Sequence, residues 1–143
     1  MLLELIATLC AGLFAGAAVY ITLVEHPARL ECGTALAATE FGPSYRRATL
    51  LQASLAAVGF LAALIAWIRA GELPVLLGGT LLGLVIPFTL IVILPTNKRL
   101  LDPRLDRGSA EAAALLERWG KLHAVRSVAG GLGFGVLAWH LAQ

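Results

Sequence analysis

The chain has 143 residues, enough for one domain, and 59% of them are hydrophobic while only 14% are charged. Soluble domains are about 45–50% apolar and about 25% charged, and the excess apolar content here lies in long runs, which indicates a membrane protein. The net charge of +2 gives no reason to expect a nucleic-acid partner.

Four apolar segments are predicted to cross the membrane as helices: residues 2–24, 48–68, 73–94 and 122–141. Each is close to the roughly 20 residues that span a hydrocarbon core of about 30 Å. No strand pattern competes with them, and an open sheet cannot cross lipid. The sequence therefore predicts an all-α fold, in which residues 1–143 form a single integral-membrane four-helix bundle with up-down-up-down order.

Two long connections, residues 25–47 and 97–121, are predicted to contain short helical pieces. These pieces are residues 33–40 and 109–119, and Ser109 is suited to cap the second one. Residues 69–72 are predicted to form a tight turn around Gly71, with Pro74 at the start of the third span. Cys10 and Cys32 are expected at different depths, which disfavours a disulfide.

The first span ends in a polar cluster of Tyr20, Glu25 and His26. Pro27 follows His26, and a proline disfavours helical geometry in the residue before it. We therefore expect the first helix to end or kink at His26. Such a break would direct Glu25 and His26 across the mouth of the bundle.

Polar groups also mark the start of the second span and the exit of the third. Tyr45, Thr49, Gln52 and Ala56 recur at helical spacing, so they form a stripe that is polar at one end and small beyond. Asn97 follows the third span, where it either caps the helix or donates a hydrogen bond to a ligand.

The third span contains two prolines, Pro87 and Pro95. Each removes a backbone donor, which leaves the carbonyls of Gly83 and Ile91 without their usual helical partners. In lipid those carbonyls need other partners or a polar cavity, and Thr89 is a candidate partner.

The fourth span carries Trp119, His123, Arg126 and Gly130 on one helical stripe. An arginine costs about 2.5–3.5 kcal/mol at the centre of a spanning helix and less near its ends. Two interpretations of Arg126 stay open. It either extends its side chain to the lipid headgroups or pairs with Glu25 or with a carbonyl that a proline has freed.

Glycine pairs at a spacing of four residues are predicted to let helices pack closely. They are Gly12 with Gly16, Gly79 with Gly83, and Gly131 with Gly135. In particular, we expect Gly131 and Gly135 to touch another helix of the bundle.

The basic residues set the predicted orientation, because they favour the cytoplasmic side of a membrane. Nine of the eleven lie in the two long connections. Both termini are therefore expected on the extracytoplasmic side of what we take to be the bacterial inner membrane. The four polar helix ends then share the cytoplasmic face, where residues far apart in sequence can form one pocket.

Two histidines and a carboxylate, His26, His123 and Glu25, are residue types that hold a single iron ion. Neighbouring residues on a helix point about 100° apart, so Glu25 and His26 converge only if the helix unwinds. A site without a cofactor is the preferred interpretation, and a single iron or other transition-metal ion is the alternative.

The chain resembles the anthrone oxygenase-like membrane proteins, a family largely of unknown function, over its whole length. The resemblance lies in Val24-Glu25-His26-Pro27-Ala28-Arg29, Phe41-Gly42-Pro43-Ser44-Tyr45-Arg46-Arg47, Ile86-Pro87-Phe88-Thr89, Pro95-Thr96-Asn97 and the stretch from Trp119 to Arg126. Named members oxidise anthrones to anthraquinones without a classical organic cofactor. The resemblance implies the catalytic candidates His26, Asn97, His123 and Arg126.

That chemistry needs a base, groups that stabilise an oxyanion, and an apolar slot for flat rings. The substrate-binding candidates are Tyr20, Glu25, Tyr45, Gln52, Phe88, Thr89 and Trp119. The leading hypothesis is a membrane-embedded oxidoreductase, an anthrone-type monooxygenase acting on a lipophilic aromatic or quinone-like substrate. A non-catalytic lipid- or quinone-binding protein and a membrane subunit that docks a partner remain alternatives, and a homo-oligomer stays open.

Overall fold

A computed structural model describes all 143 residues and contains four long helices without any strand. They are α1 (Leu2–Glu31), α2 (Thr34–Ala70), α3 (Leu73–Leu100) and α4 (Ala110–Leu141). The predicted all-α fold is confirmed. By length and composition, α1, α2 and α3 are apolar enough to cross a membrane, whereas α4 is not among the helices that qualify.

The helices pack in a ring. Both α1 and α3 pack against α2 and α4, and the contacts across the diagonals are sparse. Gly71 ends α2 with a φ of 76°, a left-handed conformation that favours glycine, and Pro74 lies in the first turn of α3. Ser109 caps α4 as predicted, because its hydroxyl accepts a hydrogen bond from the Ala112 N–H at 3.1 Å.

Small side chains fill the centre of the bundle and large ones cover its outside. We call the central group the apolar cluster; it comprises Ala7, Ala11, Phe14, Ala18, Ala56, Ala62, Ala63, Ala66, Val75, Leu82, Val85 and Leu137. Outward-facing Leu13, Leu50, Ile91 and Leu132, one on each helix, are 58–75% exposed. This distribution suits lipid, where close helix approach rather than water exclusion holds helices together.

Two of the helices are much longer than the hydrocarbon core of a bilayer is thick. At 37 and 32 residues, α2 and α4 are about 55 and 48 Å long, against a hydrocarbon core of about 30 Å. The helical pieces predicted within the long connections are the first turns of these helices, and α2 continues through Pro43 without a break. A second group packs at this end, which we call the end cluster: Ile21, Ala37, Ala38, Phe41, Ile93, Leu100, Leu105, Ala112, Leu116 and Trp119.

The expected break at His26 is wrong. His26 is helical, with φ −67° and ψ −45°, and α1 continues to Glu31. A widened π-helical turn over Ile21–Glu25 precedes it, and the His26 N–H bonds to the Ile21 carbonyl. A matching turn, Thr89–Ile93, precedes Pro95 in α3. In both helices a local change in the hydrogen-bond pattern lets the chain pass a proline.

The prediction for Gly131 and Gly135 is also wrong, because a Cβ added to either would meet no atom within 4 Å. The close approach involves their neighbours instead. A Cβ on Gly133 would lie 2.9 Å from the Gly78 carbonyl oxygen, and one on Gly130 would lie 2.6 Å from the Phe14 ring. Periodicity alone placed the contact face of α4 one to two residues away from its true position.

Candidate functional site

Two histidines that are far apart in sequence meet at Trp119. The ring centroid of His123 lies 4.7 Å from that of Trp119 in a stacked arrangement, and the centroid of His26 lies 5.1 Å from it. Phe41 contacts the same indole edge-on at 5.3 Å. All four side chains are buried, so α1, α2 and α4 bring His26 and His123 together inside the bundle.

The imidazole of His123 lies at the end of a short hydrogen-bonded chain of two hydroxyl groups. Its Nδ1 lies 3.0 Å from the Thr22 hydroxyl oxygen, which lies 2.7 Å from the hydroxyl oxygen of Ser127. Ser127 in turn donates to the Ala18 carbonyl at 2.9 Å. Only 2% of His123 is exposed, so these contacts hold the imidazole in one orientation.

The buried partner of Arg126 is Gln52. Arg126 Nη2 donates to Gln52 Oε1 at 2.8 Å, and the guanidinium lies 5.6 Å from the centre of the Phe14 ring. Of the interpretations left open for Arg126, pairing with Glu25 is wrong, because Glu25 pairs with Arg29. Arg126 Nε has no partner within the protein, which leaves a buried donor.

Two cavities meet at this pair. The inner cavity, about 20 Å³, is lined by His123, Trp119 and Arg126 among others and is large enough for a water molecule. The lateral cavity, about 110 Å³, lies between α2 and α3 and has mainly apolar walls. Both cavities share the Tyr45, Thr49, Gln52 and Arg126 side chains.

The polar stripe predicted on the second span lines the lateral cavity. Tyr45, Thr49, Gln52 and Ala56 are all among its walls. Thr49 and Leu90, on opposite sides of the cavity, are exposed at the outer surface of the bundle. The cavity thus runs from the outside of the bundle, between α2 and α3, to buried Gln52 and half-buried Arg126.

Two catalytic candidates are buried outside these cavities. Neither His26 nor Asn97 lines the inner or the lateral cavity. Asn97 is 1% exposed, and neither its amide nitrogen nor its amide oxygen has a partner. The His26 ring lies so close to Gly120 that a Cβ there would be 2.6 Å from Nε2.

Three further substrate-binding candidates, Tyr20, Phe88 and Thr89, differ in their positions relative to the lateral cavity. Tyr20 is 56% exposed on the outside of α1 and lines neither the inner nor the lateral cavity. Phe88 packs against the end cluster and lines a separate groove beside Arg126. Thr89 does line the lateral cavity, but its hydroxyl donates to the Val85 carbonyl at 2.6 Å, not to the carbonyl of Gly83.

Arg29 organises the outer side of the site, and the sequence did not single it out. It is buried and pairs with Glu25, with Glu40 at 2.8 Å, and with the Ser44 hydroxyl at 3.1 Å. Its guanidinium also lies 5.8 Å from the centre of the Trp119 ring. The spacing of Glu25 and Arg29, one helical turn apart, was the available signal.

The three residues considered for iron do not form a metal-binding group. No cluster of three or more His, Cys, Asp or Glu side chains has a suitable geometry. The Glu25 carboxylate is engaged by Arg29 and by the Ser44 hydroxyl at 2.5 Å. In this arrangement Glu25, His26 and His123 fit a single metal ion poorly.

Comparison with known proteins gives one match. A family model described as Anthrone oxygenase matches residues 41–136, which is more than half of the chain. The match contains most of α2, all of α3 and most of α4 but not α1, and it is therefore narrower than the resemblance inferred from the sequence. No curated protein and no solved structure shows a significant match.

Proposed function

Because the chain belongs to the anthrone oxygenase family, we propose that it is a membrane oxidoreductase that converts a lipophilic anthrone-like or hydroquinone-like substrate to a quinone. The observation that supports this most directly is the lateral cavity, which has mainly apolar walls and a half-buried arginine, paired with buried Gln52, at its inner end. Flat aromatic molecules partition into lipid, and the cavity reaches the outer surface of the bundle between α2 and α3.

In this proposal the substrate enters from the bilayer and lies against Tyr45, Ile86 and Leu90. Its polar carbonyl faces the Gln52–Arg126 pair. Arg126 Nε has no partner within the protein, so it can donate to an oxyanion without giving up the bond to Gln52. A fixed cationic donor in an apolar site stabilises a developing negative charge more strongly than water does.

The chemistry follows from the substrate. A base removes a proton from the methylene carbon opposite the anthrone carbonyl, which gives a delocalised anion. That anion reduces dioxygen and bonds to it, and protonation of the product gives a hydroperoxide. Loss of water from the hydroperoxide leaves the second quinone carbonyl. One oxygen atom of dioxygen is then in the product and the other is in water.

His123 is the proposed base. It lines the inner cavity, and its Nδ1 is engaged by Thr22, so Nε2 is the nitrogen that remains for proton transfer. The Gln52–Arg126 pair belongs to the walls of both cavities, so a substrate that reaches this pair lies next to the inner cavity that His123 lines. His26 and Asn97 remain catalytic candidates, because both are buried with polar atoms that have no partner.

The proposed setting is a bacterial inner membrane, with four spanning helices in up-down-up-down order. Both termini are extracytoplasmic and the site lies at the cytoplasmic end. The basic residues in the two long connections support this orientation. The large exposed apolar side chains on α4, such as Leu132, support a fourth span.

The proposal is tested with purified protein in lipid nanodiscs and with anthrone as substrate, by oxygen uptake and by anthraquinone absorbance. His123→Ala should lower turnover by about 10²-fold or more, the typical contribution of a general base. Arg126→Lys should also lower turnover, because it keeps the charge but loses the planar donor fork. The matched control is His140→Ala, which changes the histidine near the other end of α4 and should leave turnover intact.

Several outcomes would overturn the proposal. Oxygen uptake that is equal in the wild type and in His123→Ala would remove His123 as the base. Saturable binding of anthrone without oxygen uptake would favour a lipid- or quinone-binding protein. A co-purifying protein, with no binding of anthrone, would favour a docking subunit. Elemental analysis of the same sample tests the iron alternative.

A further inference from the structure

The orientation of each hydroxyl group around His123 can be worked out from its neighbours. Ser127 Oγ lies 2.9 Å from the Ala18 carbonyl oxygen and 3.3 Å from the His123 carbonyl oxygen. A carbonyl oxygen only accepts hydrogen bonds, and a serine hydroxyl has a single hydrogen. The Ser127 hydrogen must therefore point to a carbonyl oxygen, and Ala18 provides the shorter contact.

The next hydroxyl follows from the first. Thr22 Oγ1 lies 2.7 Å from Ser127 Oγ, and the Ser127 hydrogen is already used. The Thr22 hydroxyl must therefore donate to Ser127. Its only hydrogen is then committed, so towards His123 Nδ1, at 3.0 Å, Thr22 can only accept.

We infer that Thr22 and Ser127 are positioning residues that hold neutral His123 in the tautomer with the proton on Nδ1, so that Nε2 carries the lone pair. This inference rests on the proposed function for its catalytic meaning, because a histidine that takes a proton through Nε2 must have that nitrogen unprotonated. The tautomer itself follows from the hydrogen-bond geometry alone.

The fold supports this arrangement from two helices. Ala18 and Thr22 lie one turn apart on α1, and His123 and Ser127 lie one turn apart on α4. Thr22 belongs to the π-helical turn Ile21–Glu25, where the backbone departs from regular α geometry. Such turns occur frequently at functional sites. The turn that lets α1 pass Pro27 thus also carries the residue that orients His123.

Nitrogen NMR of protein containing ¹⁵N-labelled histidine measures the tautomer without any substrate. The chain has three histidines, and the His123 signals are those that disappear in His123→Ala. At a pH where His123 is neutral, we expect a protonated Nδ1 and an unprotonated Nε2. In Thr22→Val the Nε2-protonated form should appear. Thr22→Ser, which keeps the hydroxyl, should give the same His123 nitrogen signals as the wild type.

The matched control is Thr8→Val. Thr8 is also on α1, and its hydroxyl donates to the Glu4 carbonyl of its own helix at 2.8 Å, so its loss should leave the His123 signals unchanged. If Thr22→Val does not fold, Ser127→Ala gives a second test. It removes the acceptor of the Thr22 hydrogen, so the Nδ1-protonated form should no longer be the only one.

A protonated Nε2 in the wild type would overturn the inference, as would an unchanged tautomer in both variants. Turnover is a separate readout. If His123 has the expected tautomer and the protein consumes no oxygen with anthrone, the inference stands and the proposed function fails. If both hold, Thr22→Val should lower kcat in proportion to the fraction of His123 that the NMR spectrum shows with the proton on Nε2, since that tautomer cannot accept a proton at Nε2.

Discussion

The apolar cluster and the end cluster differ in the size and the polarity of the side chains that they bury. The apolar cluster is mostly alanine, and its helices touch through glycine and alanine without buried polar groups to satisfy. Around the end cluster lie aromatic rings together with buried His26, Asn97 and His123. A buried polar group without a partner costs about 1–3 kcal/mol. The end cluster therefore carries a cost in stability that the apolar cluster avoids, which is typical of a functional region.

The largest expected effect on stability comes from overpacking the close helix contact between Gly133 and Gly78. Gly133→Leu should lower the free energy of unfolding by about 3 kcal/mol, the upper end of the usual range for overpacking. A Cβ at this position would lie 2.9 Å from the Gly78 backbone oxygen, and backbone cannot move aside as a side-chain end can. Thermal unfolding in detergent, followed by helical circular dichroism, measures the loss.

Gly131→Leu is the matched control for this change. It lies two residues away on α4, and a Cβ there meets no atom within 4 Å, so we expect an almost unchanged melting temperature. Equal losses in the two variants would contradict the packing described here. A loss of stability in Gly131→Leu alone would support the contact face of α4 that the glycine spacing predicted.

The next effect compares two buried amides, one with a partner and one without. Asn97→Leu should raise the free energy of unfolding by about 1 kcal/mol, because neither of its amide atoms has a partner within the protein. Gln52→Leu should lower that free energy by about 1–3 kcal/mol, because it leaves the Arg126 guanidinium without its acceptor. The measurement is thermal unfolding of both variants in the same detergent.

The stability of either variant can contradict this expectation. Destabilisation by Asn97→Leu as large as that by Gln52→Leu would show that Asn97 has a partner in the fold. An unchanged stability of Gln52→Leu would show that Arg126 reaches the headgroups, the other interpretation that the sequence left open. Ser54→Ala, which removes an exposed hydroxyl bonded within α2, is the control and should have little effect.

Composition and periodicity were sufficient to predict the helices, because each long apolar run in the sequence lies within a helix. They also placed His123 and Arg126 on one stripe of α4 and Gln52 on a polar stripe of α2. They did not identify the partner of Arg126. Glu25 or a carbonyl freed by a proline was expected, but Glu25 pairs with Arg29, one turn along its own helix. The choice of Gln52 depends on packing between helices, which spacing within one helix does not specify.

The backbone at the prolines could not be predicted either. The rule for residues that precede proline predicted a break at His26, whereas a π-helical turn removes the conflict within the preceding residues. The same turn carries Thr22, which sequence analysis did not select. Its spacing of four residues from His26 was visible, but only the contact with His123 gives it a role.

The smallest expected effect lies at the solvent-exposed margin of the end cluster, in the connection between α3 and α4. The pKa of Asp102 is lowered to about 2 because the Arg104 side chain, and then the Arg104 backbone N–H, donate hydrogen bonds to its carboxylate. A lowered pKa means that the charged form stabilises the folded state. That contribution is complete above the ordinary aspartate value of 3.8 and is lost as the pH falls towards 2.

We therefore expect the wild type to melt slightly above Asp102→Asn at pH 6, and the gap to close between about pH 4 and pH 2. The gap should be small because the ion pair is solvated and salt screens it. Asp106→Asn makes the same change of net charge in the same connection, where Asp106 accepts the Gly108 N–H. Comparing the two variants separates the contacts of Asp102 with Arg104 and Arg99 from the change of net charge. A gap that stays constant down to pH 2 would show that those contacts do not stabilise the fold.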